Sequence, residues 1–279
     1  MKRVRWMWTL LAVGTIAAAL TGVVDDYGRE YGERAFKRAL VTFAVARTLN
    51  GVISVAQGTE VAIEPGGVGV NFTVGQVLDP VNDLVERFSA VMLVATTSLG
   101  LQNVLLRMFS WWGVTTLLVV AAALTVVLIW RGSGVRGAGP RWLLNGFLLL
   151  AFVRFAVPLL IIGTGLVFDT FLAAEQNAAT AALEATSQEI EALNQEPPVV
   201  AEEDQSMLDR LTAMVDDSLE TMNVRERLES FKTRVSNASE HIINLIVIFV
   251  LQTIILPLGF VWLLLELTKK LASRLTQHP

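Results

Sequence analysis

Four stretches of this chain are apolar for about twenty residues at a time: Trp6–Val24, Ser110–Trp130, Trp142–Phe168 and Ile242–Leu267. A bilayer core of about 30 Å is crossed by about 20 helical residues. Inside it, every backbone N–H and C=O must find its partner within the protein, which a helix provides. The expected fold is therefore mainly α-helical, a polytopic membrane protein with four transmembrane helices. Charged residues make up 17% of the 279 residues, with a formal net charge of −4. A soluble domain carries about 25% charged residues. The deficit argues against a soluble globule, and the sign of the net charge against a nucleic-acid-binding protein.

The distribution of charge predicts an orientation. The two ends and the loop 131–141 hold Lys2, Arg3, Arg5, Arg131, Arg136, Arg141, Lys269, Lys270 and Arg274, nine cations with no carboxylate among them. Residues 25–109 hold seven Lys/Arg and nine Asp/Glu, and residues 169–240 hold five Lys/Arg and sixteen Asp/Glu. Cationic loops resist translocation. Both termini and the loop 131–141 are thus expected in the cytoplasm, with 25–109 and 169–241 outside a bacterial inner membrane. The first run also has features of a signal peptide, Lys2–Arg5 followed by an apolar stretch and Ala17–Ala19. Its 19 residues exceed the usual 7–15 of such a region, so it is read as a retained anchor, residues 1–24.

The first outer region, 25–109, is expected to hold a polar connection over Asp25–Arg34 and two interfacial helices, 35–56 and 80–109. Between them a β-hairpin is expected over 59–75. Val61 and Ile63, then Val68, Val70, Phe72 and Val74, alternate with polar or small residues around Glu64-Pro65-Gly66-Gly67. Asp79-Pro80 has the chemistry of a helix start. Residues 36–56 and 89–106 are apolar enough to suggest six spans. That arrangement would bring 57–86 into the cytoplasm with five carboxylates and no cation, so four spans are preferred.

The second outer region, 169–241, reads as an acidic helical hairpin stopped at its tip by Pro197-Pro198, with Asn223-x-x-Glu226 as a capping box on the return. The return helix places Val224, Leu228, Phe231, Val235, Ala238, Ile242, Leu245, Phe249 and Gln252 at alternating spacings of four and three. This is a heptad seam. The outgoing helix answers with Ala179, Leu183, Thr186, Ile190 and Leu193. Within the seam, Val224, Leu228, Phe231, Val235, Ile242, Leu245 and Phe249 are the candidate interface for self-association or for another membrane protein.

Arg154 is the most informative single residue. It lies 12 residues inside the third run, about 18 Å deep, where a bare charge costs several kcal/mol. No carboxylate of the four expected spans lies at that depth. Gln252, on the return seam, is the nearest polar match in height. Pro158 frees a carbonyl one turn away that is a further candidate partner. The doublets Asp25-Asp26 and Asp216-Asp217 read as solvated faces. There is no cysteine and there are two histidines, His241 and His278. No nucleophile elbow, phosphate loop or metal-ligand run is present, so no enzyme activity, cofactor or metal site is expected. The expected role is an inner-membrane assembly or interaction protein, self-associating or binding a partner through its extracytoplasmic helical hairpin, in contact with membrane lipid. The alternative is an oligomeric channel or transporter with Arg154 and Gln252 lining a polar pathway.

Overall fold

The computed structural model describes residues 2–58, 61–63, 70–72, 74–131, 138–195 and 237–277. The chain is nearly all helical there. Its elements are α1 (Lys2–Thr21), α2 (Val23–Gly58), β1 (Val61–Ile63), β2 (Val70–Phe72), α3 (Val74–Phe109), α4 (Trp112–Trp130), α5 (Ala138–Phe171), α6 (Ala173–Gln195), α7 (237–250), a π-helical turn (Leu251–Ile255) and α8 (Leu256–Gln277). The two short strands pair antiparallel, with Val61 opposite Phe72 and Ile63 opposite Val70. Five helical stretches are long and apolar enough to cross a membrane: Val23–Val55, Val81–Phe109, Trp112–Trp130, Trp142–Phe171 and Asn237–Leu271. The first expected span is a shorter apolar helix, Arg5–Thr21. It stops before Val24 because Gly22 takes a φ of 66°, a left-handed conformation that glycine adopts without a Cβ clash.

The stretch expected to be a polar connection, Asp25–Arg34, is instead the start of α2. Asp25 and Asp26 stand in its first turn, where the helix dipole favours anions. Asp26 pairs with Arg29 at 2.7 Å and Glu30 with Arg34 at 3.3 Å, the spacings that support a helix surface. The buried positions of α2 are Asp25, Gly28, Gly32, Ala35, Ala39, Thr42, Ala46, Leu49 and Ile53. Their spacing alternates between three and four, and most are small, so neighbouring helices approach closely along this stripe. α3 likewise begins at Val74, ahead of Asp79-Pro80.

The chain divides into two compact units. Unit 1 comprises Met1–Ala39, Ala95–Ala173 and Val250–Pro279. Its larger apolar core gathers Trp8, Ala12 and Ala19 of α1, Leu118, Ala121, Ala122 and Ile129 of α4, and Leu144, Phe147 and Leu148 of α5, with Leu271 of α8 against them. A smaller core of Leu106, Leu160 and Ile161 packs with Tyr31, Val157, Phe260 and Val261. α3 and α4 are separated by a bend at Ser110-Trp111, where Trp111 is extended (ψ 140°). α5 passes into α6 at Leu172, whose N–H still bonds to the Phe168 carbonyl at 2.8 Å.

Unit 2 comprises Leu40–Val94 and Ala174–Phe249. Its buried residues include Ala46, Leu49 and Ile53 of α2, Val85, Phe88 and Met92 of α3, Ala179, Leu183 and Ile190 of α6, and Ala238, Ile242, Leu245 and Phe249 of α7. The Thr42 and Thr180 hydroxyls lie 3.4 Å apart and tie α2 to α6. Of the return seam, Val224, Leu228, Phe231 and Val235 lie outside the described residues, as do Pro197-Pro198, the Asn223 capping box and Asp216-Asp217.

Close approach makes a specific demand at Gly165. A Cβ there would lie 2.5 Å from Cδ1 of the Tyr31 ring, whereas one on Gly14 meets nothing within 4 Å. Overpacking of this kind costs about 1–3 kcal/mol. Gly165→Ala is expected to lower the melting temperature of the detergent-solubilised protein clearly, and Gly14→Ala to leave it unchanged or slightly raised. Equal effects would contradict the packing of Tyr31 on α5.

Candidate functional site

The partner of Arg154 is Asp25. Arg154 is 1% exposed and Asp25 5%, so both charges are withdrawn from solvent. Nη1 donates to Asp25 Oδ1 at 2.7 Å and Nη2 to Oδ2 at 2.5 Å. This two-pronged geometry is what a planar guanidinium offers a carboxylate and an ammonium cannot. Arg154 Nε donates to the Thr115 hydroxyl at 3.1 Å. The Ser110 hydroxyl in turn donates to Asp25 Oδ1 at 2.9 Å. The Phe155 ring lies with its centre 5.4 Å from the guanidinium carbon.

Three separate pieces of chain deliver these groups. Asp25 stands three residues after Gly22, and the Asp26 N–H bonds back to the Gly22 carbonyl at 2.9 Å. The α1–α2 break thus aims the first turn of α2 at α5. Ser110 sits in the α3–α4 bend, and Thr115 in the first turn of α4, its N–H on the Trp111 carbonyl at 3.2 Å. Two helix junctions and the middle of α5 therefore meet at one ion pair. The expectation that Asp25-Asp26 is a solvated face is corrected for Asp25 and holds for Asp26, whose side chain is exposed. The expectation that no carboxylate reaches Arg154 fails because α2 starts earlier than its polar composition suggests. Pro158 does not receive the guanidinium. It packs on α2, where a Gly28 Cβ would be 3.3 Å from the Pro158 Cβ.

Gln252 belongs to a different place. It lies in the π-helical turn, with Thr253 buried beside it. The cause is Pro257, two residues after this turn, whose ring would clash with the carbonyl four residues earlier in a regular helix. The wider turn closes with the Leu256 N–H on the Leu251 carbonyl. Gln252 lines a small cavity with Tyr31, Gln102, Asn103 and Thr164, with space for about one water. Asn103 Nδ2 donates to the Gly32 carbonyl at 3.1 Å. Along α5, Pro158, Leu160 and Ile161 are the buried residues between Arg154 and Thr164. The two polar residues singled out from sequence are thus held apart, and the Leu106–Leu160–Ile161 core occupies the interval. Farther along α2, Arg38 covers the Phe168 ring at 4.1 Å and faces Asp169 at 3.8 Å.

The seam residues Ile242, Leu245 and Phe249 are each buried within the chain. Among the described residues, no three His, Cys, Asp or Glu side chains converge as a metal site. No protein-family model, curated protein or solved structure matches the chain.

Asp25 carried a signal that a search confined to long apolar runs misses. It opens the stripe of small residues that continues through Gly28-x-x-x-Gly32, a spacing that favours close helix contact. Breaking a buried pair from one side costs about 3–5 kcal/mol, because the remaining charge is uncompensated, whereas removing both partners costs far less. Asp25→Leu and Arg154→Leu alone are each expected to lower thermal stability in detergent strongly. The double variant is expected to recover most of the loss. Additive losses would contradict the pairing.

Proposed function

We propose that this chain is a non-enzymatic assembly or interaction protein of a bacterial inner membrane, self-associating or binding a partner through its extracytoplasmic region. In this reading the apolar runs in α1, α4, α5 and residues 242–267 cross the bilayer, both termini are cytoplasmic, and residues 25–109 and 169–241 are extracytoplasmic. The partition of charge supports the orientation, since the cation-only segments lie at one set of helix ends. Exposed Asp26, Arg29, Glu30 and Arg34 on α2 argue against lipid around its first half. Its second half lies beside α6 at Thr42–Thr180. There α6 exposes Glu175 and Glu184 on either side of Thr180, with Glu189 and Glu191 beyond. Carboxylates at that level speak for water, so α2 and α3 are read as an outer pair despite their apolar length.

The observation that carries the assembly reading is the apolar surface left on this outer pair. Leu40, Val41 and Val55 of α2 and Leu93 and Val94 of α3 are exposed. Apolar side chains exposed to water favour an interaction surface. The seam residues Ile242, Leu245 and Phe249 are consumed by packing inside the chain, so the partner surface is assigned to α2 and α3. A channel lined by Arg154 and Gln252 has less support, because Arg154 is neutralised in place and an apolar core separates the two.

The chain has no cysteine, so single introduced thiols report cleanly. Thiols replacing Ala44 and Glu184 are expected to react with an impermeant maleimide on intact cells, and one replacing Arg131 only after the membrane is opened. In mild detergent the wild type is expected to run as a complex larger than one 30.5 kDa chain, reduced by Val41→Glu combined with Val94→Glu. A wild-type monomer with no bound partner would contradict the proposal.

A further inference from the structure

Four helix ends meet at one face of unit 1. Trp6, near the start of α1, stands edge-on to Trp130 at the end of α4, with ring centres 5.7 Å apart. Trp130 Nε1 donates to the Thr9 hydroxyl at 3.1 Å. Trp8 packs on Phe147 of α5 at 6.5 Å. Leu271, near the end of α8, rests against the same core as Ile129 and Leu144. Trp6, Trp130 and Trp142 are exposed, as indole rings are at the headgroup level of a bilayer. In sequence each of them adjoins a cation: Arg5, Arg131 and Arg141.

The helix ends at that face carry Arg5, Arg131, Lys269 and Lys270, and the sequence adjoining those ends holds five more cations, Lys2, Arg3, Arg136, Arg141 and Arg274. Among the described residues at these ends the carboxylate is Glu266, which stands 3.6 Å from Lys270 and offsets a single charge. Of the 22 Lys/Arg and 26 Asp/Glu in the chain, setting aside the nine cations and Glu266 leaves 13 against 25, so the rest of the molecule carries −12. Two of the four ends, those of α1 and α5, are helix N-termini with no acidic residue in the first turn. Their partial positive charge adds to that of the side chains rather than offsetting it. Cations grouped at a headgroup-level tryptophan belt match a phosphodiester anion held at the same depth.

We propose that this face binds the phosphate of anionic phospholipids, with Arg5, Arg131, Lys269 and Lys270 as the ligating cations and the exposed tryptophans against the glycerol level. It is a preference for headgroup chemistry, separate from the role proposed for α2 and α3. It concerns the side chains at one membrane face and stands whichever leaflet that face meets.

The test is lipid retention. The full chain is reconstituted into nanodiscs of phosphatidylcholine with phosphatidylglycerol, then released and weighed with its bound lipids by native mass spectrometry. The wild type is expected to keep phosphatidylglycerol over phosphatidylcholine by about tenfold or more. That preference is expected to fall sharply at about 1 M salt, where the screening length is about 3 Å. The combined variant Arg5→Gln, Arg131→Gln, Lys269→Gln and Lys270→Gln is expected to lose the preference, and Arg5→Lys with Arg131→Lys to retain it. If the glutamine variant does not fold, the salt dependence of the wild type and the lysine variant decide the matter. Equal retention of both lipids by the wild type would overturn the proposal. So would a preference indifferent to salt, or displacement of the lipid by an acidic peptide, which would assign the face to a protein.

Discussion

The Asp25–Arg154 pair sets the terms for the helices around it. Removing two charges from water costs several kcal/mol for each ion, and their attraction repays this only with good geometry and further hydrogen bonds. Arg154 meets that condition by binding both carboxylate oxygens and the Thr115 hydroxyl, and Asp25 by also accepting from Ser110. The consequence is positional. Asp25 must lie at the height of Arg154, so the chain breaks at Gly22. Ser110 and Thr115 must lie there too, so α3 and α4 are interrupted at Trp111. Two features that look like separate loop accidents have one electrostatic cause.

Above the pair, packing rather than charge organises unit 1. Gly28 on α2 lets Pro158 of α5 approach, Gly165 on α5 leaves room for the Tyr31 ring of α2, and Leu106, Leu160 and Ile161 form an apolar core beyond Arg154. Polar chemistry resumes only at the cavity beside the π-helical turn, which Pro257 imposes on the chain. An ion pair sealed in this way is suited to holding helices in register. That is the physical basis for preferring the proposed assembly role to a conducting one.

The apolar runs made α4, α5 and the α7–α8 rod legible, because length and hydropathy alone define a membrane-compatible helix. The four-three spacing of Ala238, Ile242, Leu245, Phe249 and Gln252 picks out one face, and all five residues are buried. The beginning of α2 was not legible. Residues 25–34 are polar enough to read as a connection, and only the ion pairs at three- and four-residue spacing and the close-packed glycines make them helical. Asp25 and Asp26 are indistinguishable by type. What separates them is phase relative to Gly28 and Gly32, and a partner 129 residues away. The site therefore depended on tertiary information, while the burial of Arg154 could be anticipated from its depth.

The most direct measurement exchanges the two charges. Asp25→Arg and Arg154→Asp are made singly and together, and folded yield is read by size-exclusion chromatography and melting temperature in mild detergent. Each single reversal, which buries two like charges face to face, is expected to abolish the folded peak, and the exchanged pair to restore a substantial part of it. Single reversals that fold like the wild type, or an exchange no better than either one, would contradict the pairing of Asp25 with Arg154.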